Sequence, residues 1–223
     1  ALGKALDQPE SPLVAIVGGA KVSTKIQLLE SMLNKVDVLL VGGGIANTFL
    51  KAEGHHIGAS LYEPELVELA QSLLTQAKQQ GVDIPLPVDA RVAKAFSSDA
   101  LARITDFVGV QSDDLILDVG PRTQHTYAEI MRQANTIVWN GPVGVFEFPR
   151  FCEGTKALGD AIVQSSAFSV AGGGDTVAAL SAFGISDKMS YVSTGGGAFL
   201  SYLQGEGLPA VAAIRNKENQ YVR

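Results

Sequence analysis

Cysteine is nearly absent from this sequence: Cys152 is the only one, which excludes a disulfide framework and a cysteine-based zinc site. Long apolar runs are missing as well, and none approaches the ~18 residues of a membrane helix. Positive charge is in the minority, 17 Lys+Arg against 23 Asp+Glu, and a net charge of −6 argues against non-specific binding to nucleic acid. His55, His56 and His125 match no metal-ligand spacing and read as surface or loop positions. Residues 1–12 have neither the basic start nor the apolar stretch of a secretory signal. Gly18-Gly19-Ala20-Lys21 is not a Walker A loop. The near match to G-x-G-x-x-[GA], Gly205 to Ala210, follows a helical stretch rather than a strand and reads as chance. These exclusions leave a cytoplasmic globular chain of 223 residues, 46% hydrophobic and 18% charged, expected to form one domain.

Glycine is what the sequence has in excess, 24 of 223 or about 11% against a usual value of roughly 7%. Thirteen of the 24 sit in five short loops, each behind a compact apolar run. LVAIV (Leu13–Val17) leads into Gly18 and Gly19; VDVLLV (residues 36–41) leads into Gly42, Gly43 and Gly44. TIVW (residues 136–139) leads into Asn140-Gly141-Pro142-Val143-Gly144, FSVA (residues 168–171) into Gly172-Gly173-Gly174-Asp175-Thr176, and YVS (Tyr191–Ser193) into Thr194 and Gly195 to Gly197. A further run, LILD (residues 115–118), ends in Val119-Gly120-Pro121. Short runs without polar alternation read as strands buried on both faces. Behind the loops the period becomes helical: Ile26, Leu29, Leu33; Leu66, Leu69, Leu73, Ala77 after a Ser60-x-x-Glu63 capping box; Tyr127, Ile130, Met131; and Ala157, Ala161, Val163. Repetition of strand, glycine turn and helix predicts a three-layer α/β/α sandwich with a mainly parallel, Rossmann-like sheet. Residues 83–114 are less periodic; 84–88, with Pro85 and Pro87, read as a strand near an edge, and 90–107 are weakly amphipathic.

In a parallel sheet all strand-to-helix loops leave from one edge, where open α/β sheets bind ligands. One such glycine needs no more than a tight turn, but five loops on one edge expose backbone N–H groups beside helix N-termini, and that combination holds phosphate. Lys21 and Lys25 lie one turn apart at the start of a predicted helix, where cations oppose the macrodipole unless a polyanion binds; they are either phosphate ligands or two solvated surface lysines. Asp175 opens the helix after Gly174, either as an N-cap or as a Mg²⁺ ligand beside a nucleotide phosphate. Glu147 is either a ribose-binding carboxylate or an ordinary exposed one. Trp139 is read as core, and Cys152, without a basic neighbour, as structural.

GGAKVSTKI (residues 18–26), GGGIANTFL (42–50), WNGPVGVFE (139–147), GGGDTVAA (172–179) and STGGGA (193–198) resemble the phosphoglycerate kinases, bacterial members closely and in matching order. The resemblance covers the C-terminal, nucleotide-binding lobe of that family, over residues 13–213. Residues 1–12 resemble the end of its interdomain helix, and the tail 214–223 departs from the pattern. It implies ADP or ATP as substrate with Mg²⁺, a monomer, and a missing N-terminal lobe that binds 3-phosphoglycerate and supplies an arginine. By motif, it implies that Lys25 contacts the nucleotide phosphates and the transferring group, and that Lys21 changes partners on domain closure. Gly18 and Gly19 border the pocket, Gly42 and Gly43 line the adenine side, Asn140 and Pro142 lie beside the nucleotide, and Glu147 binds ribose. Gly173, Gly174, Asp175 and Thr176 form the phosphate-binding helix start with Asp175 on Mg²⁺, while Gly195 and Gly196 lie near the transferred phosphate.

The implied reaction, glycolytic phosphoryl transfer between 1,3-bisphosphoglycerate and ADP, needs no general base, since a carboxylate acceptor is ionised at pH 7. Positioning and charge stabilisation suffice, and closure of two lobes is indispensable. This chain alone is expected to bind nucleotide without turnover. An isolated nucleotide-binding or interaction module is the alternative, and a dinucleotide oxidoreductase is disfavoured by the missing fingerprint.

Overall fold

The computed structural model describes residues 1–206. In chain order these form α1 (Leu2–Leu6), β1 (Leu13–Val17), α2 (Ile26–Leu33), β2 (Val38–Val41), α3 (Gly43–Ala52), α4 (Val67–Gln80), β3 (Asp89–Ala93), β4 (Arg103–Asp106), β5 (Leu115–Val119), α5 (Pro121–Gln133), β6 (Thr136–Asn140), α6 (Glu153–Gln164), β7 (Phe168–Gly172), α7 (Gly174–Ala182), β8 (Tyr191–Ser193) and α8 (Gly196–Leu203). Short 3-10 turns occupy Pro64–Leu66 and Ser186–Lys188. The boundary at 213 and the tail 214–223 lie outside the described residues, as do positions 207–210 of the near match that begins at Gly205.

The five apolar runs that precede glycine loops become one five-stranded sheet in the order β2-β1-β6-β7-β8, with every pairing parallel. Its two faces are read directly from alternate residues of β1. Leu13, Ala15 and Val17 pack with Leu39, Val41, Val138 and Val170 under α2, α4 and α8. Val14 and Ile16 pack with Leu40, Ile137, Trp139 and Ala171 under α5 and α6. A strand buried on both sides must be apolar throughout, and β1 is buried at all five positions. Local signals set the helix ends: α5 opens on Pro121, whose missing N–H costs nothing at a first helical position, and α4 stops at Gly81 in the left-handed region (φ +74°). Among the described residues no helix is long and apolar enough to cross a membrane.

Two expectations need correction. Residues 84–88 are not a strand: Pro85 and Pro87 lack ladder donors, and the regular strand begins only at Asp89. The weakly amphipathic stretch 90–107, which periodicity does not place, holds β4 and all of β3 after Asp89, and these join β5 in a separate antiparallel sheet of order β4-β3-β5. The LILD run therefore leaves the parallel sheet. It is tied back to the loop behind β6 and to the start of α6, because Val145 N–H donates to the Leu117 carbonyl at 2.8 Å and Gly154 N–H to the Asp118 carboxylate at 2.8 Å. Ser60 and Glu63 do not make a capping box either. Ser60 Oγ accepts the Ile116 N–H at 2.8 Å, and Glu63, beside the 3-10 turn, makes no cap hydrogen bond there.

Candidate functional site

The register brings the ends of the parallel strands level, pairing Val17 with both Val41 and Asn140, and Gly172 with Ser193. The glycine loops thus emerge side by side, and the first three interlock. A Cβ on Gly18 would stand 1.9 Å from the Pro142 carbonyl oxygen, and one on Gly44 2.1 Å from that of Ala20. Contacts this close leave no room for a side chain, so the loops' own packing demands glycine there. The N-terminus of α3 is closed by the same packing, since Gly43 N–H donates to the Val143 carbonyl and Ile45 N–H to the Gly19 carbonyl, both at 3.2 Å.

The starts of α7 and α8 differ. Each has a glycine N-cap without a side-chain hydrogen bond, and the first-turn N–H groups of Gly174, Asp175 and Thr176, and of Gly196, Gly197 and Ala198, find no acceptor among the described residues. Around Gly174, Gly196 and Gly197 a Cβ would meet nothing within 4 Å. Open space over unbonded N–H groups at a helix start is the geometry that receives an anion.

Lys25 is the N-cap of α2 and Lys21 lies in the loop before it, so neither is in the helix expected to begin with them. The Lys25 ammonium turns back into the site and donates to the Gly18 carbonyl at 2.8 Å and to Asn140 Oδ1 at 2.5 Å. Burial lowers its pKa to about 8, against the opposing pull of the Asp175 charge. Asn140 is buried and donates from Nδ2 to the Gly172 carbonyl at 3.0 Å, which links the loops behind β6 and β7. Thr176 is fully buried and its hydroxyl accepts the Gly141 N–H at 2.7 Å, a loop-to-loop tie. Asp175 is exposed and makes no hydrogen bond or ion pair among the described residues; the N-cap is Gly173. Away from this edge, burial first and then Glu153 push the Cys152 thiol up.

A cavity of about 500 Å³ opens along this edge. Gly19, Gly43, Pro142, Glu147 and Asp175 line it, with Ala20 and Gly44. Apart from Asn47, its remaining wall is mostly apolar, with Leu61, Phe96, Leu115, Ile116, Leu117 and Val145. Gly18, Gly42, Lys25, Asn140, Gly173, Gly174 and Thr176 are not on that lining; they pack beneath it or stand at its α7 end, and Lys21 and Gly196 are exposed at the same edge. Phe96 and Leu61, 65% and 55% exposed, were not legible as site residues, because their neighbours in sequence carry no periodicity. A larger cavity, about 670 Å³, lies between the end of α4, residues 82–88 and residues 106–108, and none of the glycine loops reaches it.

Residues 1–206 match the family model for phosphoglycerate kinase. The phosphoglycerate kinase of Francisella philomiragia subsp. philomiragia is 58% identical over 217 residues, 97% of this chain and 55% of that protein. That of Francisella tularensis subsp. tularensis is 59% identical over the same shares. Among solved structures, phosphoglycerate kinase from Coxiella burnetii superposes with a TM-score of 0.93 at 57% identity, over 95% of this chain and 55% of that one. The enzyme from Pyrococcus horikoshii OT3 gives 0.82 at 33% identity, over 96% and 54%. The chain spans about half the length of the curated relatives it matches.

Proposed function

Since this chain belongs to the phosphoglycerate kinase family, we propose that it binds Mg-ADP or Mg-ATP along the glycine-loop edge and supplies the nucleotide half of phosphoryl transfer between 1,3-bisphosphoglycerate and ADP. The observation that carries this reading is the pairing of one 500 Å³ cavity, apolar at one side, with the unbonded N–H groups of α7 at the other. An adenine ring suits the wall of Leu61, Phe96, Leu117 and Val145, and Glu147 stands on the lining to accept ribose hydroxyls. The phosphates then reach the α7 start, with Lys25 beside them.

Asp175 fits a Mg²⁺ ligand, being exposed, unpaired and in the first turn of α7. No group of three or more acidic, histidine or cysteine side chains that could hold a metal exists among the described residues, which suits a cation held by one carboxylate and the nucleotide's own oxygens. Bound there, Mg²⁺ would neutralise charge on the β- and γ-phosphates. Lys25 and the α7 N–H groups orient the terminal phosphate and balance its charge, without moving a proton. The acceptor carboxylate and the arginine belong to a second lobe, whose closure would exclude water. We place the complete enzyme in the cytoplasm as a monomer. Titration calorimetry with Mg-ADP tests the reading: saturable heat by the folded chain, without turnover of 3-phosphoglycerate, is expected, and no heat of binding would overturn it.

A further inference from the structure

We propose that Glu63 is a positioning residue for the Lys21–Lys25 loop, and that it holds the two lysines at the phosphate end of the nucleotide site from outside that site. The inference rests on the nucleotide reading above. Glu63 does not line the cavity, and 40 positions separate it from Ser23. Yet both of its carboxylate oxygens accept hydrogen bonds from Ser23. The Ser23 N–H donates to Oε2 at 2.9 Å and the Ser23 hydroxyl to Oε1 at 2.5 Å. Ser23 lies midway between Lys21 and Lys25, so this grip fixes the loop at its centre. The loop's own bonds are few: Lys25 N–H to the Val22 carbonyl and Thr24 hydroxyl to the Lys21 carbonyl, each 2.8 Å.

Glu63 is itself held. Its N–H donates to Thr48 Oγ1 at 3.2 Å, and that hydroxyl donates to the Gly44 carbonyl at 2.9 Å in the first turn of α3. Asn47 Nδ2 donates to the Leu61 carbonyl at 3.0 Å, which straps the preceding residues to the same helix. A continuous relay therefore runs from the second glycine loop through Thr48 and Glu63 to the lysine loop. The carboxyl is buried, which alone would raise its pKa; hydrogen bonds from Ser23 and Val22 and the charge of Lys21 outweigh burial and keep it below its ordinary value. An ionised carboxylate is acceptor-only, which is what an N–H and an O–H pointing the same way require.

The test compares the chain with Glu63→Ala, Glu63→Gln and Ser23→Ala, each titrated with ADP and with adenosine, which has no phosphate. Glu63→Ala should weaken ADP by about tenfold and adenosine by less than about twofold. Glu63→Gln keeps an acceptor for the Ser23 N–H and should recover most of the loss. Ser23→Ala, a mild change at an exposed site, should cost ADP alone about threefold, and it decides the matter if the alanine variant at 63 does not fold. Equal losses of ADP and adenosine, or none, would overturn the proposal by reducing Glu63 to a stability element. Amide hydrogen exchange without ligand separates this inference from the nucleotide reading. The Ser23 amide should exchange at least about tenfold faster in Glu63→Ala while the α3 amides keep their protection. An unprotected Ser23 amide in the parent chain sinks the positioning role, whereas a parent chain that protects it but binds no ADP sinks the nucleotide reading and leaves the grip standing.

Discussion

Lys25 and Asn140 meet although 115 positions separate them: the lysine Nζ donates to the asparagine Oδ1 at 2.5 Å and to its backbone carbonyl at 3.2 Å. All the acceptors around this ammonium are neutral, and Asp175 acts on it only through its charge. The group is thus parked, half-buried, where an arriving phosphate gives it the anionic partner it lacks.

A titration consequence follows from that parking. Free Lys25 has a pKa of about 8, depressed chiefly by burial. A bound polyanion favours the charged form and raises the value, so binding near pH 8 takes up protons and affinity for ADP falls as pH rises above about 8. Calorimetry of ADP binding at pH 8 in two buffers of different ionisation enthalpy checks this. Equal heats in both buffers would show that Lys25 is not the linked group, and Lys25→Met should abolish the difference.

Removing the Asp175 carboxylate should leave the fold alone, because the side chain is exposed and caps nothing. We expect Asp175→Asn to keep the melting temperature within about 1–2 °C. Its affinity for ADP should become almost independent of Mg²⁺, where the parent chain gains roughly tenfold from the metal. A metal response equal to that of the parent would reject Asp175 as the ligand.

Two glycine substitutions should behave oppositely. Gly44→Ala drives a methyl to 2.1 Å from the Ala20 carbonyl oxygen and is expected to cost more than about 2 kcal/mol, read from urea unfolding. Gly174→Ala meets open space at the start of α7 and should raise stability by about 0.5 kcal/mol while weakening ADP binding, since the methyl occupies the space over the free N–H groups. Unchanged ADP affinity in Gly174→Ala would place the phosphates elsewhere.

Asp118 is buried, and desolvation pushes its pKa up to about 7 in spite of hydrogen bonds from the Gly154 and Val119 amides. A carboxyl raised in this way lets the folded state keep a proton that the unfolded chain has released above pH about 4. Its contribution to stability is therefore fullest below that pH and is lost as pH rises through about 7. Relative to Asp118→Asn, the parent should lose up to about 1.4 kcal/mol per pH unit across this window, measured by urea denaturation. A flat difference would mean that the two amide donors fully offset burial.

Much of the fold was legible because its central strands are extreme. A strand such as LVAIV, buried at every position, cannot alternate, and a glycine loop behind each of five compact runs marks the edge where they end. The small sheet was not legible for the opposite reason. β4 is mostly exposed and reads Arg-Ile-Thr-Asp, and β3 reads Asp-Ala-Arg-Val-Ala, so neither shows the apolar signal of a strand. LILD looked like the other apolar runs, and only its antiparallel partner β3 distinguishes it. Ser60 and Glu63 had the spacing of a capping box, but tertiary partners claimed both side chains.

The amino-acid sequence by itself determined the layered α/β class, the glycine loops at strand ends and the motifs of the phosphoglycerate kinases, because each depends on residues near in the chain. Only the tertiary structure decided which glycines serve packing and which leave room. It also brought Phe96 and Leu61 to the cavity wall, turned the Lys25 ammonium onto Asn140, and put the Glu63 carboxylate on Ser23. Those relationships join segments dozens of residues apart, and the order of strands in the sheet, which no local pattern encodes, is what sets them side by side.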